Sequence, residues 1–361
     1  MHSTEAINDG PGHRIRVLVV DDSAFARSVI SRQLSADPEI EVVGHAADGI
    51  EALEQIKSLR PDVVTLDISM PRMDGIETLE HIVRDIPTPT VMVSVLTSDG
   101  ASITLEALDK GAVDFVLKPV RAGVPTLQEL SSVLCTKVKL AATARLPIPR
   151  PRKDRAVLRA PRKVSWKDTV VVIGSSTGGP QALTAVLQAL PADTKVPILV
   201  VQHMPKEFTG PLAERLNLQS KVRVVEGSAG MRLEPGLAIV APGGHHMVLN
   251  KRHQIQIDDR PPECGVRPSI NVTMESVVAV YGRSTLGVIL TGMGSDGTRG
   301  AGLIKGAGGN VIAESPETCV IYGMPRSVVE AGYADGVIPL ESIAGEIVSR
   351  CSAPMSVRAT K

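Results

Sequence analysis

Aromatic residues are scarce: three phenylalanines, three tyrosines and one tryptophan in 361 residues. A chain so poor in them offers no platform on which nucleic-acid bases could stack. An excess of one charge is missing too. Lysine plus arginine and aspartate plus glutamate both number 39, so no general field draws the chain to nucleic acid or to acidic lipid. The four cysteines, Cys135, Cys264, Cys319 and Cys351, form no CxxC or Cys/His pattern, which argues against structural zinc and fits a reducing compartment. No apolar run approaches the roughly 18 residues needed to cross a bilayer, and the opening MHSTEAINDGPGHR lacks the basic and then apolar order of a secretory signal. These absences predict a cytoplasmic protein that neither binds nucleic acid nor inserts into a membrane.

What the chain does have is alternation. Apolar β-rich runs alternate with amphipathic stretches, the mark of βαβ units around a parallel sheet. The first strands are read at IRVLVV (15–20), IEVVGHA (40–46), DVVTLD (62–67), TVMVSV (90–95) and DFVLK (114–118), and five at that spacing predict a doubly wound domain. Its last helix is expected to open at Thr126, where TLQE makes a capping box with Glu129. A second group of strands, TVVVIG, PILVVQH, RVVEG, LAIVAP, QIQID, LGVILTG and NVIAE, predicts a second α/β domain. Between the two groups, residues 145–163 carry eight basic residues, one acid and four prolines. Proline at that density prevents regular structure and favours a solvated, extended connector over a basic docking patch. The expected division is a first domain over 14–142, a Pro/Arg-rich linker over 143–165 and a second domain over 166–355.

The first domain concentrates acids. Asp21 and Asp22 follow the first strand and Asp67 closes the third. In a doubly wound sheet the carboxyl ends of the strands share one edge, so the three carboxylates converge there. Their crowding is costly without a cation, and hard oxygen ligands in that number suit Mg2+, which keeps several waters and takes a phosphate oxygen as well. Ser94 and Lys118 lie at neighbouring strand ends, where a hydroxyl and an ammonium can hold phosphoryl oxygens while a carboxylate attacks phosphorus. Any one of these residues alone reads as a cap or a surface group. Together VDDS, LDISMPRMDG, Ser94 and the pair Lys118-Pro119 resemble the receiver domain of two-component response regulators, a flavodoxin-like fold. The resemblance implies that Asp67 is the phosphoacceptor, that Mg2+ is held by Asp21, Asp22 and Asp67, and that Ser94 and Lys118 report phosphorylation. It also implies a cis Lys118–Pro119 bond and a rotating aromatic at Phe115.

The second domain carries a different set. VVVIGSSTGGPQAL, residues 170–183, reads as a buried strand, a glycine turn and a helix start. Its GSSTGG spacing does not fit GxGxxG, no acid ends the next strand, and there is no GK[ST] for a phosphate loop. Ser175 and Ser176 follow one strand, His203 another and Asp296 a third. A hydroxyl, an imidazole and a carboxylate at one sheet edge are the components of nucleophilic acyl transfer, with amides at a helix start near the developing oxyanion. His245 and His246 are rival bases on spacing alone.

In order along residues 170–335, GSSTGGP, VVQHMP, APGGHHM, RPSINV, LTGMGSDG and IYGMPR resemble the catalytic domain of the chemotaxis protein-glutamate methylesterase family, CheB. The resemblance implies a Rossmann-like domain with Ser176 as nucleophile, His203 as general base, Asp296 as its orienting acid and the Met293 backbone N–H as oxyanion donor. Thr177 and Arg267 would line the site, Ser175 would only pack, and the esterase site would need no cofactor. It further implies methyl-accepting chemotaxis receptors as substrate, a chemotaxis histidine kinase as phosphodonor, and an unphosphorylated receiver that obstructs the catalytic face. The alternative is a receiver-regulated module that binds without catalysis, which would have no need of Ser176, His203 and Asp296 together.

Overall fold

A computed structural model of the chain describes residues 14–94, 98–118, 127–146, 165–166 and 168–353. These fall into two compact units, one within 1–96 and 110–146, the other within 97–109 and 147–361. Val95, Thr126, the Lys118–Pro119 bond and connector residues 147–164 lie outside the described residues.

The first unit is built on a parallel sheet ordered β2-β1-β3-β4-β5. Its strands are β1 (Ile15–Val20), β2 (Ile40–Ala46), β3 (Val63–Asp67), β4 (Thr90–Ser94) and β5 (Asp114–Leu117). Every residue of β3 and β4 is buried, which is why these strands read as unbroken apolar runs: a parallel sheet is covered on both faces. The helices are α1 (Ala24–Ser35), α2 (Gly49–Leu59), α3 (Gly75–Asp85) and α5 (Leu127–Thr143), while α4 (Ser98–Asp109), which follows β4 in sequence, groups with the second unit. Ser23, Asp48 and Asp74 stand at the N-caps of α1, α2 and α3, each side chain accepting from the amide three residues on. Such caps satisfy amides that the first helical turn leaves open.

The second unit has a seven-stranded parallel sheet ordered β15-β14-β13-β7-β8-β10-β9. A short antiparallel pair, β6 (Ser165–Trp166) with β16 (Ser352–Ala353), ties the two ends of the unit together. The sheet strands are β7 (Val170–Ser175), β8 (Ile198–Gln202), β9 (Arg223–Glu226), β10 (Leu237–Val240), β13 (Thr285–Ile289), β14 (Asn310–Glu314) and β15 (Gly336–Ile338). The helices are α6 (Gly179–Ala189), α7 (Lys206–Gln219), α8 (Ile270–Tyr281), α9 (Thr298–Gly306), α10 (Met324–Glu330) and α11 (Leu340–Cys351). QIQID, expected within the α/β alternation, forms β12 (Ile255–Asp258) and pairs with β11 (His246–Leu249) in a separate antiparallel hairpin. One core cluster runs through this unit, from Val170 and Leu199 to Ile270, Met274, Ile289 and Val311.

The strand order fixes where a site can form. From β7 the chain moves through β8 towards β9, and from β13 through β14 to β15 in the opposite direction. The reversal falls between β7 and β13, and a crevice opens beyond the carboxyl ends of two such strands.

In the first unit, Gly75 comes so close to the end of β3 that a Cβ there would overlap the Asp67 carbonyl oxygen, while its N–H donates to Ile68 O at 2.8 Å. Gly75→Ala should therefore cost about 1–3 kcal/mol and lower the thermal midpoint of the full chain in calorimetry; an unchanged midpoint would contradict this packing.

Candidate active site

At the carboxyl edge of the first sheet, Asp21, Asp22 and Asp67 bring carboxylate oxygens within 4.8 Å of one another. Asp21 and Asp67 are buried and Asp22 is exposed. Lys118 Nζ lies 2.7 Å from Asp21 Oδ2 and 2.8 Å from Asp67 Oδ2. Burial pushes the Asp67 carboxyl above its ordinary range, and the Lys118 ammonium offsets this only in part. Burial alone would lower the Lys118 pKa, but its hydrogen bonds to Asp21 and Asp67 outweigh that and raise it. Ser94 is buried at the end of β4, and its carbonyl accepts the Lys118 N–H at 2.6 Å. Three anionic oxygen donors with one face open to solvent fit a partly hydrated Mg2+. Phe115, expected to be a rotating aromatic, is buried here with Lys137 Nζ 4.9 Å from its ring centroid.

In the second sheet β13, β7 and β8 are adjacent, so the segments that follow them meet. His203 Nε2 lies 2.8 Å from Asp296 Oδ2. The His203 N–H donates to Ser175 O at 3.0 Å, and the Ser176 N–H donates to Thr291 O at 3.0 Å. Gly292 follows Thr291, and a Cβ there would lie 2.6 Å from the Ser176 Cβ. Ser176 is thus anchored between the loops that carry His203 and Asp296. No hydrogen bond joins the Ser176 hydroxyl to His203 among the described residues, as is common before substrate aligns such a pair.

Asp296 is buried and fully partnered. Besides His203 it accepts from Ser269 Oγ at 2.9 Å, Ile270 N at 2.7 Å, Asn271 N at 3.0 Å and Gly297 N at 3.0 Å. Ile270 and Asn271 open α8, so the positive end of that helix faces the carboxylate. Burial raises the Asp296 pKa, but the hydrogen bond and charge of His203 together with these amides win, and the net shift is downward. Met293 lies in the same loop; it is 46% exposed, and its N–H meets no acceptor among the described residues.

The rival histidines are otherwise engaged. His246 is fully buried, with Nδ1 accepting from Ser269 N at 3.1 Å and Nε2 3.2 Å from Pro261 O. His245 pairs with Asp259. Arg267 Nη1 donates to the carbonyls of Asp259 and Arg260 at 2.9 and 3.1 Å, and Thr177 is buried. Ser175, expected only to pack, instead donates from Oγ to Gln202 Oε1 at 2.7 Å; a hydroxyl buried at a strand end needs a partner.

Several residues that sequence reasoning passed over complete the site. Gln202 Nε2 donates to the carbonyls of Ser176 and His203. Asn271 Oδ1 accepts from Gly297 N and Gly300 N, both at 2.9 Å. Glu314, buried at the end of β14, accepts from Thr291 N at 2.8 Å and Thr318 Oγ1 at 2.9 Å, and burial pushes its pKa up. A second cluster, Glu263, Cys264 and Asp296, has possible ligand atoms within 4.8 Å. Its geometry does not favour a metal, because the Asp296 oxygens already receive five donors and Glu263 is held by Arg299.

A depressed carboxylate pKa stabilises the fold above its unfolded value of 3.8, and that contribution is lost as pH falls through the lowered folded value. Asp296→Asn should therefore lose most stability relative to the parent above about pH 4, with the gap narrowing at lower pH. Urea midpoints across that range test this, and a gap independent of pH would contradict it.

Two family models match the chain: the response regulator receiver domain over residues 17–126 and the CheB methylesterase over residues 171–347. A protein-glutamate methylesterase/protein-glutamine glutaminase of Lawsonia intracellularis is 47% identical, over 92% of this chain and 98% of its own. A relative of the same name in Thermotoga maritima is 44% identical, again over 92% of this chain and 98% of its own. The crystal structure of the Thermotoga maritima CheB methylesterase catalytic domain, 44% identical, covers 51% of this chain and 98% of its own, with a TM-score of 0.50. With the fold, the two clusters of site residues and these relatives in agreement, the chain belongs to the CheB methylesterase family, in the form that carries a receiver domain.

Proposed function

We propose that this chain hydrolyses methyl esters of glutamate side chains on methyl-accepting chemotaxis receptors and deamidates selected glutamines there, using Ser176, His203 and Asp296. It is a protein-glutamate methylesterase/protein-glutamine glutaminase controlled by its receiver. The observation that carries the mechanism is the His203–Asp296 pair, with Asp296 buried, beside the turn that carries Ser176 at the switch point of the sheet. A module that only binds has no use for that pair.

With its Nε2–H given to Asp296, His203 keeps a lone pair on Nδ1 as the base. Ser176 Oγ attacks the side-chain carbonyl carbon, and Nδ1 takes the hydroxyl proton. The oxyanion of the tetrahedral intermediate accepts the Met293 N–H, a contact of a type worth roughly 10^2–10^3 in rate. Collapse breaks the bond to the leaving group, which departs as methanol, or as ammonia from a glutamine, with the proton returned by His203. Water then attacks the acyl-enzyme, His203 takes its proton, and Ser176 leaves with a glutamate as product. Asp296 holds the imidazole in one tautomer and stabilises its charged form without itself taking the proton.

In the receiver, Asp67 is the phosphoacceptor and a histidine kinase the donor. Asp21, Asp22 and Asp67 would hold Mg2+, which shields the anionic phosphoryl group from the acidic cluster when bound. Ser94 and Lys118 lie on the same strand edge and respond to the added charge. The working division remains 14–142 for the receiver, 143–165 for the linker and 166–355 for the catalytic domain. No helix among the described residues is long and apolar enough to cross a membrane, and the cytoplasm is the proposed compartment.

Ser176→Ala should lower methanol release from methylated receptor membranes by roughly 10^4–10^6-fold with the circular dichroism unchanged; full activity would remove the assignment. Acetyl phosphate with Mg2+ should raise the rate of the parent chain, and Asp67→Asn should abolish that rise. A rise that persists in the variant would contradict the role of Asp67.

A further inference from the structure

We infer that Gln202 is a positioning residue for the hydrolysis, a clamp that holds the nucleophile and the base in register, with Ser175 as its anchor. The inference rests on the assignment of Ser176 and His203. Gln202 is the last residue of β8 and is buried. Its Nε2 donates to Ser176 O at 2.9 Å and to His203 O at 3.0 Å. One amide therefore spans the two peptides that carry the attacking hydroxyl and the base. Its Oε1 accepts from Ser175 Oγ at 2.7 Å. The orientation of the amide follows from its partners: carbonyls cannot donate, so the NH2 must face them, and the hydroxyl then meets the oxygen.

Two further contacts close the frame. The His203 N–H donates to Ser175 O at 3.0 Å, and Ser176 O also accepts from Gly179 N at 2.7 Å. A Cβ on Gly179 would overlap Gln202 Oε1 and lie 2.9 Å from Ser175 Oγ, so the third glycine of GSSTGGP leaves the space that the amide fills. The two serines thus divide the work: Ser176 presents its hydroxyl to the substrate, and Ser175 turns its own inward to hold the clamp. Displacing a reacting pair by a fraction of an ångström slows chemistry more than it weakens binding, since about 1 Å can cost 10^2-fold.

The test is steady-state methanol release by the full chain, with acetyl phosphate and Mg2+, for Gln202→Met, Ser175→Ala and the double variant. Gln202→Met should lower kcat about 10–100-fold with KM changed less than about threefold, and Ser175→Ala should lower kcat by a smaller factor. The double variant should be no slower than Gln202→Met, because the hydroxyl acts only through the amide. The rate of labelling at Ser176 by a fluorophosphonate should fall in the same proportion as kcat. Cooperatively melting variants with kcat within twofold of the parent, or a loss confined to KM, would overturn the clamp. Should Gln202→Met fail to melt cooperatively, Ser175→Ala decides by the same criteria. Ser176→Ala run alongside separates the two ideas: activity there removes the nucleophile assignment, whereas an inactive Ser176→Ala with normal clamp variants removes the clamp alone.

Discussion

The Asp296 carboxylate, out of contact with bulk water, is kept ionised by donors from three directions. Ser269 Oγ and the amides of Ile270 and Asn271 come from the start of α8, the Gly297 amide from the start of α9, and Nε2 from His203 after β8. An isolated buried charge is costly, and breaking such a pair from one side costs about 3–5 kcal/mol. Here the two helix starts supply the solvation that water would give, so the charge can remain and direct the imidazole. In the proposed mechanism the tautomer of His203, and with it the nitrogen left to act as base, follows from this arrangement.

Strand order makes the arrangement possible. Ser176, His203 and Asp296 are far apart in sequence, yet they lie on segments that leave three neighbouring parallel strands, β7, β8 and β13. The same principle serves the first unit, where Asp21, Asp67, Ser94 and Lys118 sit at or just beyond strand ends on one edge. The two clusters, proposed here for phosphoryl acceptance and for acyl transfer, thus use one structural device. In the first unit burial makes the Asp67 charge costly; in the second, the burial of Asp296 is offset by His203 and by amides, and the net shift favours the carboxylate.

Much of this was legible in the sequence. Strands such as β1, β2 and β14 were read within a residue of their ends because strands buried on both faces show as apolar runs between turn residues. Strand β11 was missed: it begins with His246, is only four residues long, and draws its pairing from β12 across a hairpin. Ser176, His203 and Asp296 stood out because hydroxyl, imidazole and carboxylate at strand ends suit acyl transfer, although it was the resemblance to the methylesterase family that singled them out. Gln202, Ser269, Asn271 and Glu314 did not stand out, since a polar side chain gains such a role only from partners brought by the fold. The one signal available was position: Gln202 ends the apolar run PILVVQ and Glu314 the run NVIAE, where a buried polar group must find a partner. The pair of serines in GSS posed the same question, and the inward hydroxyl of Ser175 answers it.

The central claim, that Asp296 directs the proton of His203 to Nε2, is open to direct observation. Nitrogen-15 NMR of the full chain at a pH where His203 is neutral distinguishes the two ring nitrogens. A proton coupled to Nε2, with an unprotonated Nδ1, is the predicted result. A proton resident on Nδ1 would contradict the account, because the nitrogen proposed as base could then no longer take the Ser176 proton.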